Sequence, residues 1–428
     1  MKRGFTFVEI LVSIAIFMAV VISVYECYAA LSMTIRTSRL KLLAVDLVNE
    51  QFEIIRNLPY ADVGVTGSIP SGKLAHIQTV VRDKINFVVT TTVRNTDDPF
   101  DGTIGGAPND LSPADYKLAE IEVTCPSCAN FIPVSVTSIV APKNLETAST
   151  NGALFIQVFD ANGVAVTGAD VHIVNTPASL VIDDVTNNLG MLQIVDAPPG
   201  ANIYQVTVSK PGYSSDRTYL LGVPSNPNPT KPHATVALQT VTQVSFAIDQ
   251  TSTLNISTLN ESCVPLGDFP FTLRGEKLTG TPNVYKYDQS LVTSPSGTLA
   301  LTNLEWDAYL FMTSSETWEI RGFNPFMPVE LFPNAEQNLQ VILGPKDPNT
   351  VLISVADSAT GLPLSDASVT IDNMTLFTGR GSLTQTDWSG GSGQATSTDL
   401  ARFSSSEDLY INSPAGELSL SEILSEYS

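Results

Sequence analysis

The sequence predicts a long N-terminal transmembrane α-helix, then a small α+β head, and then an all-β body. Three observations support this prediction. An apolar run of about 20 residues begins at Phe5, an apolar stripe at helical spacing follows it, and short strand-like segments separated by turn residues fill most of the rest. A chain of 428 residues is too long for one core, so several domains are expected. Gly and Pro number 27 each, which suits a turn-rich extracellular β protein.

The first element is the apolar segment from Phe5 to Val24, in which Glu9 is the only charged residue. A helix of about 20 residues spans about 30 Å, the thickness of the hydrocarbon core of a bilayer. A carboxylate inside such a segment is costly unless a cation pairs with it, so Glu9 is a functional candidate. A short basic leader containing Lys2 and Arg3 precedes the segment.

Gly4, Phe5 and Glu9 together resemble the processing motif of type IV prepilins and pseudopilins. In that family a dedicated peptidase cleaves after the Gly and methylates the new N-terminal Phe, and the fifth mature residue is Glu. The resemblance implies a leader of residues 1–4, cleavage after Gly4, N-methylation of Phe5 and a role for Glu9 in assembly. It also implies two kinds of partner, a prepilin peptidase and other pilin or pseudopilin subunits that pack along the helix.

Two other interpretations of the N-terminus stay open. A secretory signal peptide has a shorter apolar region and a small-residue cleavage site, for which Ala29-Ala30 is a candidate. An ordinary membrane anchor with an incidental Glu9 needs no processing. The prepilin interpretation is favoured because cleavage creates an amine at Phe5 that can pair with Glu9 of a neighbouring subunit. That pairing removes the cost of a lone buried charge and fixes the stagger between subunits.

Flanking charges do not fix the orientation in the membrane. Lys2 and Arg3 precede the apolar segment, whereas Arg36, Arg39 and Lys41 follow it closely. The expected location therefore rests on the family resemblance. It is a single pass through the bacterial cytoplasmic (inner) membrane with the C-terminal part outside, or a filament at the cell surface.

The helix is predicted to continue past its membrane part, 5–30, to the end of a segment at 5–58. Apolar residues recur at helical spacing, with polar residues on the opposite face. The stripe comprises Leu40, Leu43, Leu47, Val48, Phe52, Ile54, Ile55 and Leu58. Pro59 ends it, because proline cannot continue the helical hydrogen bonding. The helix would be about 80 Å long, with its second half packed on a soluble head, as in pilins.

Residues 59–130 are predicted to form a small pilin-like head with three or so antiparallel strands. The strand candidates are His76–Val81, Ile85–Val93 and Tyr116–Thr124, and the second of them alternates between apolar and polar residues.

The loop between the last two of these strands is rich in carboxylates, with Asp97, Asp98, Asp101, Asp110 and Asp115, and the first three of them form a candidate calcium site. Oxygen ligands on flexible loops suit calcium, and some pseudopilins have a calcium site in the head. However, the loop lacks the D-x-D-x-D-G spacing, and a solvated acidic turn is the alternative. No other metal site is expected.

Four cysteines are present, and two of them form the C-x-x-C pair Cys125 and Cys128. A zinc site would need a second such pair or suitably spaced histidines, and a thioredoxin-like role would need a βαβ context. A local disulfide in an oxidising compartment and a pair of free thiols are the interpretations left. Cys27 and Cys263 have no evident partners.

After Cys128 the chain repeats a strand–turn–strand pattern, and residues 150–240 resemble the carboxypeptidase regulatory-like domain. That family has a seven-stranded Ig-like β-sandwich. The matching segments are Asp160–Gly163, Gly168–Val171, Thr186–Gly190, Pro198–Gly200 and Lys210–Tyr213. The resemblance implies tandem Ig-like β-sandwiches. A second is expected at 241–345 beyond a proline-rich linker, a third, incomplete, at 350–412, and a C-terminal tail at 413–428.

Neither an enzyme activity nor a cofactor is expected. His76, His172 and His233 fall in separate modules, and no G-x-S-x-G, H-E-x-x-H or phosphate-binding glycine loop occurs. The net charge of −21 disfavours a nucleic-acid partner, which would need basic patches.

The predicted function is that of a minor type IV pilin or pseudopilin-like protein. The N-terminal helix would dock it in a filament or its tip, and the sandwiches would present an adhesive face to an unknown surface or protein ligand. Such a bulky subunit would crowd a filament as its repeating unit, which favours a rare or tip component. The alternatives are a membrane-tethered envelope protein outside any filament and a secreted binding module.

Overall fold

The computed structural model describes residues 7–143 and 148–346, together with the backbone of six short strands between Val351 and Ser421. Its described part contains one long helix followed by a body of several β-sheets, as predicted. The leader and the predicted cleavage site between Gly4 and Phe5 lie outside the described residues.

Helix α1 runs without interruption from Phe7 to Asn57, which is 51 residues and about 77 Å. Its sequence contains neither Gly nor Pro, and it ends two residues before Pro59. The most apolar 18-residue window of the helix has a mean hydropathy of 2.7, and none of it is buried. The predicted long apolar helix is confirmed, and it is the one helix among the described residues that is long and apolar enough to cross a membrane.

The C-terminal half of α1 is instead buried against the head. The buried positions are Leu40, Ala44, Leu47, Val48, Gln51, Phe52 and Ile55. Ile54, which the sequence placed in the same stripe, is 44% exposed. Consecutive residues of a helix point about 100° apart, and Ile55 occupies the buried direction. One continuous helix therefore has an exposed apolar half and a packed amphipathic half.

The head follows a short 3-10 helix, Tyr60–Asp62, and contains one antiparallel sheet in the order β1-β2-β3-β4. Its strands are β1 (Ile77–Arg82), β2 (Ile85–Thr96), β3 (Tyr116–Thr124) and β4 (Val134–Val140). Phe87, Val89, Ile121 and Val123 alternate along the two central strands and share one buried core with α1. The fourth strand was not predicted, because it lies at the sheet edge with mostly exposed side chains and gives little burial signal.

The next unit is a sandwich of two sheets around a single core. Its strands are β5 (Gly152–Phe159), β6 (Asp170–Asn175), β7 (Leu180–Val185), β8 (Met191–Ala197), β9 (Gly200–Ser209), β10 (Asp216–Arg217), β11 (Asn228–Pro229), β12 (Ala234–Val236) and β13 (Val241–Ala247). One sheet has the order β10-β9-β6-β7 with β12 on β9, and the other has the order β13-β5-β8. β11 pairs outside this unit.

The predicted boundary between the first two sandwiches, at 240/241, is wrong. β13 pairs in parallel with β5, and Phe246 and Ile248 belong to the core of the first sandwich. That core therefore extends to Ile248. The predicted proline-rich linker, residues 226–243, also contains β11, β12 and the first three residues of β13, so eight of its 18 residues belong to strands.

The second sandwich packs two four-stranded sheets, ordered β19-β14-β23-β21 and β18-β15-β20-β22. Its strands are β14 (Ser252–Asn260), β15 (Pro270–Gly275), β16 (Leu278–Thr281), β17 (Val284–Tyr285), β18 (Asp288–Val292), β19 (Thr298–Leu304), β20 (Asp307–Met312), β21 (Trp318–Asn324), β22 (Val329–Leu331) and β23 (Glu336–Pro345). Phe271, Phe311 and Phe323 pack at its centre.

Two further three-stranded sheets lie beyond residue 350, ordered β27-β24-β29 and β26-β25-β28. Their strands are β24 (Val351–Asp357), β25 (Ser368–Asp372), β26 (Gly381–Leu383), β27 (Gln394–Ser397), β28 (Asp408–Asn412) and β29 (Leu418–Ser421). The sequence predicted a tail from residue 413, but β29 pairs with β24. The third unit therefore includes part of the predicted tail, because strands distant in sequence complete its sheet.

We expect Leu47→Ala to destabilise the head by about 2 to 5 kcal/mol, because Leu47 is fully buried between α1 and the sheet. Hydrogen–deuterium exchange of the full chain should become faster in β2, β3 and the second half of α1. Leu42→Ala is the matched control, since Leu42 lies on the same helix with 72% of its surface exposed. Equal protection in the two variants would contradict the packing of α1 on the head.

Candidate functional site

Glu9 lies at the start of α1, on a surface that is otherwise apolar. Ile10, Ile14 and Phe17 are exposed beside it, and these residues form a shallow groove with Glu9 and Ser13. The Ser13 hydroxyl donates to the Glu9 backbone carbonyl oxygen at 2.7 Å, so this hydroxyl is occupied by the helix itself. The arrangement is a carboxylate on an apolar helix face, which in a membrane requires a cationic partner.

The exposed apolar surface extends from Phe7 to Ile35, and its large apolar side chains are roughly half or more exposed. Soluble monomers rarely expose apolar patches larger than a few hundred Å². This half of the helix is therefore suited to a bilayer or to other helices. Glu9 therefore lies within an apolar surface that the described residues of this chain leave uncovered.

The head is joined to the first sandwich by a partly buried charge cluster centred on Arg94. Its Nε lies 2.6 Å from Oδ2 of Asp184, its Nη2 contacts Oδ1 of the same carboxylate, and its Nη1 lies 2.9 Å from Oε2 of Glu120. The Asp184 side chain is only 3% exposed. Burial by itself lowers the pKa of Arg94, but the hydrogen bonds and charges of Asp184 and Glu120 raise it above its ordinary value.

Backbone pairing and apolar packing support the same joint. The Val181 amide of β7 donates to the Gly67 carbonyl oxygen at 2.7 Å, and Asn95 Nδ2 donates to the Val195 carbonyl oxygen of β8 at 3.2 Å. Ile69 of the head belongs to the core of the sandwich. A cavity of about 140 Å³ lies between the two units, lined by residues of both. The head therefore contacts the edge strands of both sheets of this sandwich.

A second joint connects the two sandwiches. β11 pairs with β16 of the second sandwich, and Asn226 Nδ2 donates to the Thr279 carbonyl oxygen at 3.1 Å. Asn226 Oδ1 approaches Gly280 so closely that a Cβ there would lie 1.8 Å from it, so a side chain at this position would clash. Lys286 Nζ also donates to the Ser215 carbonyl oxygen at 2.8 Å. The proline-rich segment is thus part of a packed joint.

Cys125 and Cys128 form a disulfide in the turn after β3, with their Cα atoms 5.3 Å apart. Cys125 is buried in the head core, and Cys128 packs against that core. Cys27 and Cys263 are exposed free thiols.

The acidic loop of the head gathers three carboxylates, but not the three that the sequence suggested. Asp97 lies with Asp110 and Asp115, and one oxygen of each lies within 4.8 Å of the others. Asp98 and Asp101 are not part of this group. The Asp98 side chain instead accepts from the Phe100 amide at 3.1 Å in a local turn. The candidate site chosen by sequence proximity thus included Asp97 and left out Asp110 and Asp115, which lie further along the same acidic loop and are folded back beside Asp97.

The three histidines contact different residues in different parts of the structure. His76 faces the Thr91 carbonyl oxygen, His172 pairs with Asp183 on an exposed surface, and His233 contacts the Thr218 hydroxyl. Burial lowers the pKa of His233. These histidines are not assembled into a common site.

Perturbed ionisable groups also cluster in the second sandwich around Lys277. Burial lowers the pKa of Lys277 and raises those of Asp307 and Tyr309. Lys277 Nζ lies 3.0 Å from Oε1 of Glu305 and 3.0 Å from the centre of the Trp306 ring. The Tyr309 hydroxyl donates to the Glu305 carbonyl oxygen at 2.8 Å. Lys277 and Tyr309 thus both have hydrogen-bond partners at residues 305–306, and these groups form one network within the second sandwich.

Comparison with solved structures gives weak similarities. The Bacillus anthracis TIE protein is 14% identical over 76% of this chain and 53% of its own, with a TM-score of 0.21. The minor pilin GBS52 of Streptococcus agalactiae is 12% identical over 46% of this chain and 97% of its own, with a TM-score of 0.24. The shaft pilin SpaA of Lactobacillus rhamnosus GG is 12% identical over 46% and 99%, with a TM-score of 0.19.

TM-scores this low support no structural or functional argument, and the chain spans about half the length of the Bacillus anthracis protein. The resemblance of the first sandwich to carboxypeptidase regulatory-like domains stays a prediction. A comparison with curated protein sequences gives no significant match.

The N-terminus gives a specific match. Residues 1–25 match the model of the Prokaryotic N-terminal methylation motif, and they include Gly4, Phe5 and Glu9. The match ends well before the head and does not extend to the β body. The chain therefore carries a prepilin-type methylation motif at the start of its long apolar helix.

Proposed function

We propose that this chain is a minor type IV pilin or pseudopilin-like subunit that docks in a filament or its tip through α1. One observation carries the proposal: the methylation motif at residues 1–25 leads into a helix whose apolar half is exposed throughout its described length. A motif of this kind implies processing by a prepilin peptidase and assembly with other pilin subunits. Before assembly the chain would sit in the cytoplasmic membrane in a single pass, with its C-terminal part outside.

Assembly would pair Glu9 with a processed neighbour. Cleavage after Gly4 turns Phe5 into an N-terminal amine, which stays cationic when it is N-methylated. In side-by-side helices, Glu9 of one subunit then lies opposite the Phe5 amine of another. Pairing offsets the cost of an ionised carboxylate in an apolar environment and specifies one axial stagger. The exposed apolar residues around Glu9 support this, because they would exclude water from the pair once the helices pack together.

The β body would act as a stiff display arm for an unknown surface or protein ligand. Its support is the pair of packed joints, one through Arg94 and Asp184 and the other through β11 and β16. Rigid sandwiches present their loops at low entropic cost, and binding residues commonly lie on loops. The bulk of the arm favours a rare or terminal position, since every repeating subunit would have to accommodate it.

We expect Glu9→Ala to reduce incorporation of the chain into sheared filaments about tenfold or more, while its membrane insertion persists. Alanine keeps the helix and its apolar surface and removes only the carboxylate. The measurement is the amount of this chain in the sheared fraction relative to the membrane fraction of its native host. Glu26→Ala is the matched control, because it removes a carboxylate from the same helix outside the Gly4–Glu9 motif.

Unchanged incorporation of Glu9→Ala would remove Glu9 from its proposed role. A wild-type chain found only in the membrane fraction, in cells that assemble filaments, would favour a simple membrane tether instead.

We expect Arg94→Met to loosen the joint between the head and the first sandwich by about 3 kcal/mol, because Asp184 stays buried without its cation. Hydrogen exchange in β7 and β8 should become faster, and protease cleavage between the units should increase. Arg39→Met is the matched control, since Arg39 is 70% exposed in its pair with Asp83, and such surface pairs contribute little. If the two variants exchange alike, the joint is not held by Arg94.

A further inference from the structure

The loop between β2 and β3 brings three aspartates together from distant positions. Asp97 directly follows β2, Asp115 directly precedes β3, and Asp110 comes from the loop between them. One carboxylate oxygen of each lies within 4.8 Å of the other two. Calcium binds oxygen at about 2.3 to 2.6 Å, so oxygens at these separations can all contact one ion.

Each of these carboxylates accepts a hydrogen bond from a backbone amide through one of its two oxygens. The Ile104 amide donates to Oδ2 of Asp97 at 2.9 Å, and the Ser112 amide donates to Oδ1 of Asp110 at 2.8 Å. The Asp98 amide donates to Oδ2 of Asp115. The carboxylates are therefore oriented before any ligand arrives, which reduces the entropic cost of binding.

The remaining oxygens of Asp97 and Asp110 point to a missing ligand. Asp110 is 9% exposed, and its Oδ2 is shielded from solvent without a hydrogen-bond partner. Oδ1 of Asp97 is in the same situation. Among the ion pairs of the described residues, none includes Asp97 or Asp110. A buried carboxylate oxygen without a partner is costly, and a bound cation would remove that cost.

Repulsion within the group adds to this cost. Burial, followed by the charges of Asp110, Asp115 and Asp101, raises the pKa of Asp97. Lys117 lies two residues after Asp115, but its ammonium donates to the carbonyl oxygens of Tyr60 and Val63, at 2.8 and 2.6 Å. It does not neutralise the group.

We propose that Asp97, Asp110 and Asp115 bind a calcium ion. The three side-chain ligands are carboxylates, with neither His nor Cys in the group, which suits a hard cation and disfavours zinc. An irregular loop matches the flexible coordination of calcium better than the strict octahedron that magnesium requires.

The ion would brace the joint between the head and the first sandwich. The same loop contacts that region, because the Ser149 amide donates to the Leu111 carbonyl oxygen at 2.8 Å. The backbone at Gly105 also lies close to Val241 of β13. Fixing the loop at Asp97, Asp110 and Asp115 would fix these contacts as well. This proposal is independent of whether the chain enters a filament.

The test is isothermal titration of the metal-free full chain in detergent with calcium chloride. We expect one ion per chain, with a dissociation constant of about 0.1 to 1 mM, as is typical of extracellular modules. Asp110→Asn should weaken binding at least tenfold, because it removes the charge and keeps an oxygen for the Ser112 amide. Asp160→Asn is the matched control: Asp160 also accepts amides in a turn, at 2.8 and 2.9 Å, but belongs to no carboxylate group among the described residues.

Three results would overturn the proposal: no calcium binding by the wild-type chain, equal binding by Asp110→Asn and Asp160→Asn, or magnesium binding as tight as that of calcium. If Asp110→Asn fails to fold, Asp97→Asn takes its place. The wild-type chain also offers a test without a variant. Terbium bound at this site should luminesce on excitation of Tyr116, which follows Asp115 directly, and calcium should quench that signal by displacement. Terbium emission that calcium does not displace would contradict the site.

Discussion

The organisation of this protein depends on one continuous helix whose two halves must be buried in different surroundings. The half from Phe7 to Ile35 exposes its large apolar residues, and the half from Leu40 to Ile55 has one face buried against the head sheet. Because its sequence contains neither Gly nor Pro, nothing in it favours a hinge between the halves. Whatever buries the first half therefore also fixes the direction of the head, and through it the direction of the β body.

The two joints, between the head and the first sandwich and between the two sandwiches, extend this fixed direction along the chain. A bidentate arginine–carboxylate pair between the head and the first sandwich is directional, so it specifies an orientation as well as an attachment. The pairing of β11 with β16 has a similar effect between the sandwiches, because strand pairing defines both register and angle. Proline-rich segments between domains often act as free spacers, but here backbone pairing incorporates one into a sheet. The described head and first two sandwiches are thus built to keep their relative directions.

Local patterns predicted the helix and the strands β1, β2 and β3, because periodic burial leaves a signal within a few residues. Features formed by distant residues were missed. β13 completes the first sandwich by pairing with β5, far away in sequence, which displaced the predicted boundary. β29 completes the last unit in the same way. The acidic group shows the same limit: Asp97 was identified by its neighbours, whereas Asp110 and Asp115 reach it only through the fold of the loop.

The central claim is that α1 is a processed docking element and not a plain anchor or a removable signal. The most direct test is the mass of the N-terminal peptide of the mature protein purified from its native host. Processing of the methylation motif predicts a chain that begins at Phe5 and carries one methyl group on its amine. A chain that still begins at Met1, or one that begins near Leu31, would contradict the claim.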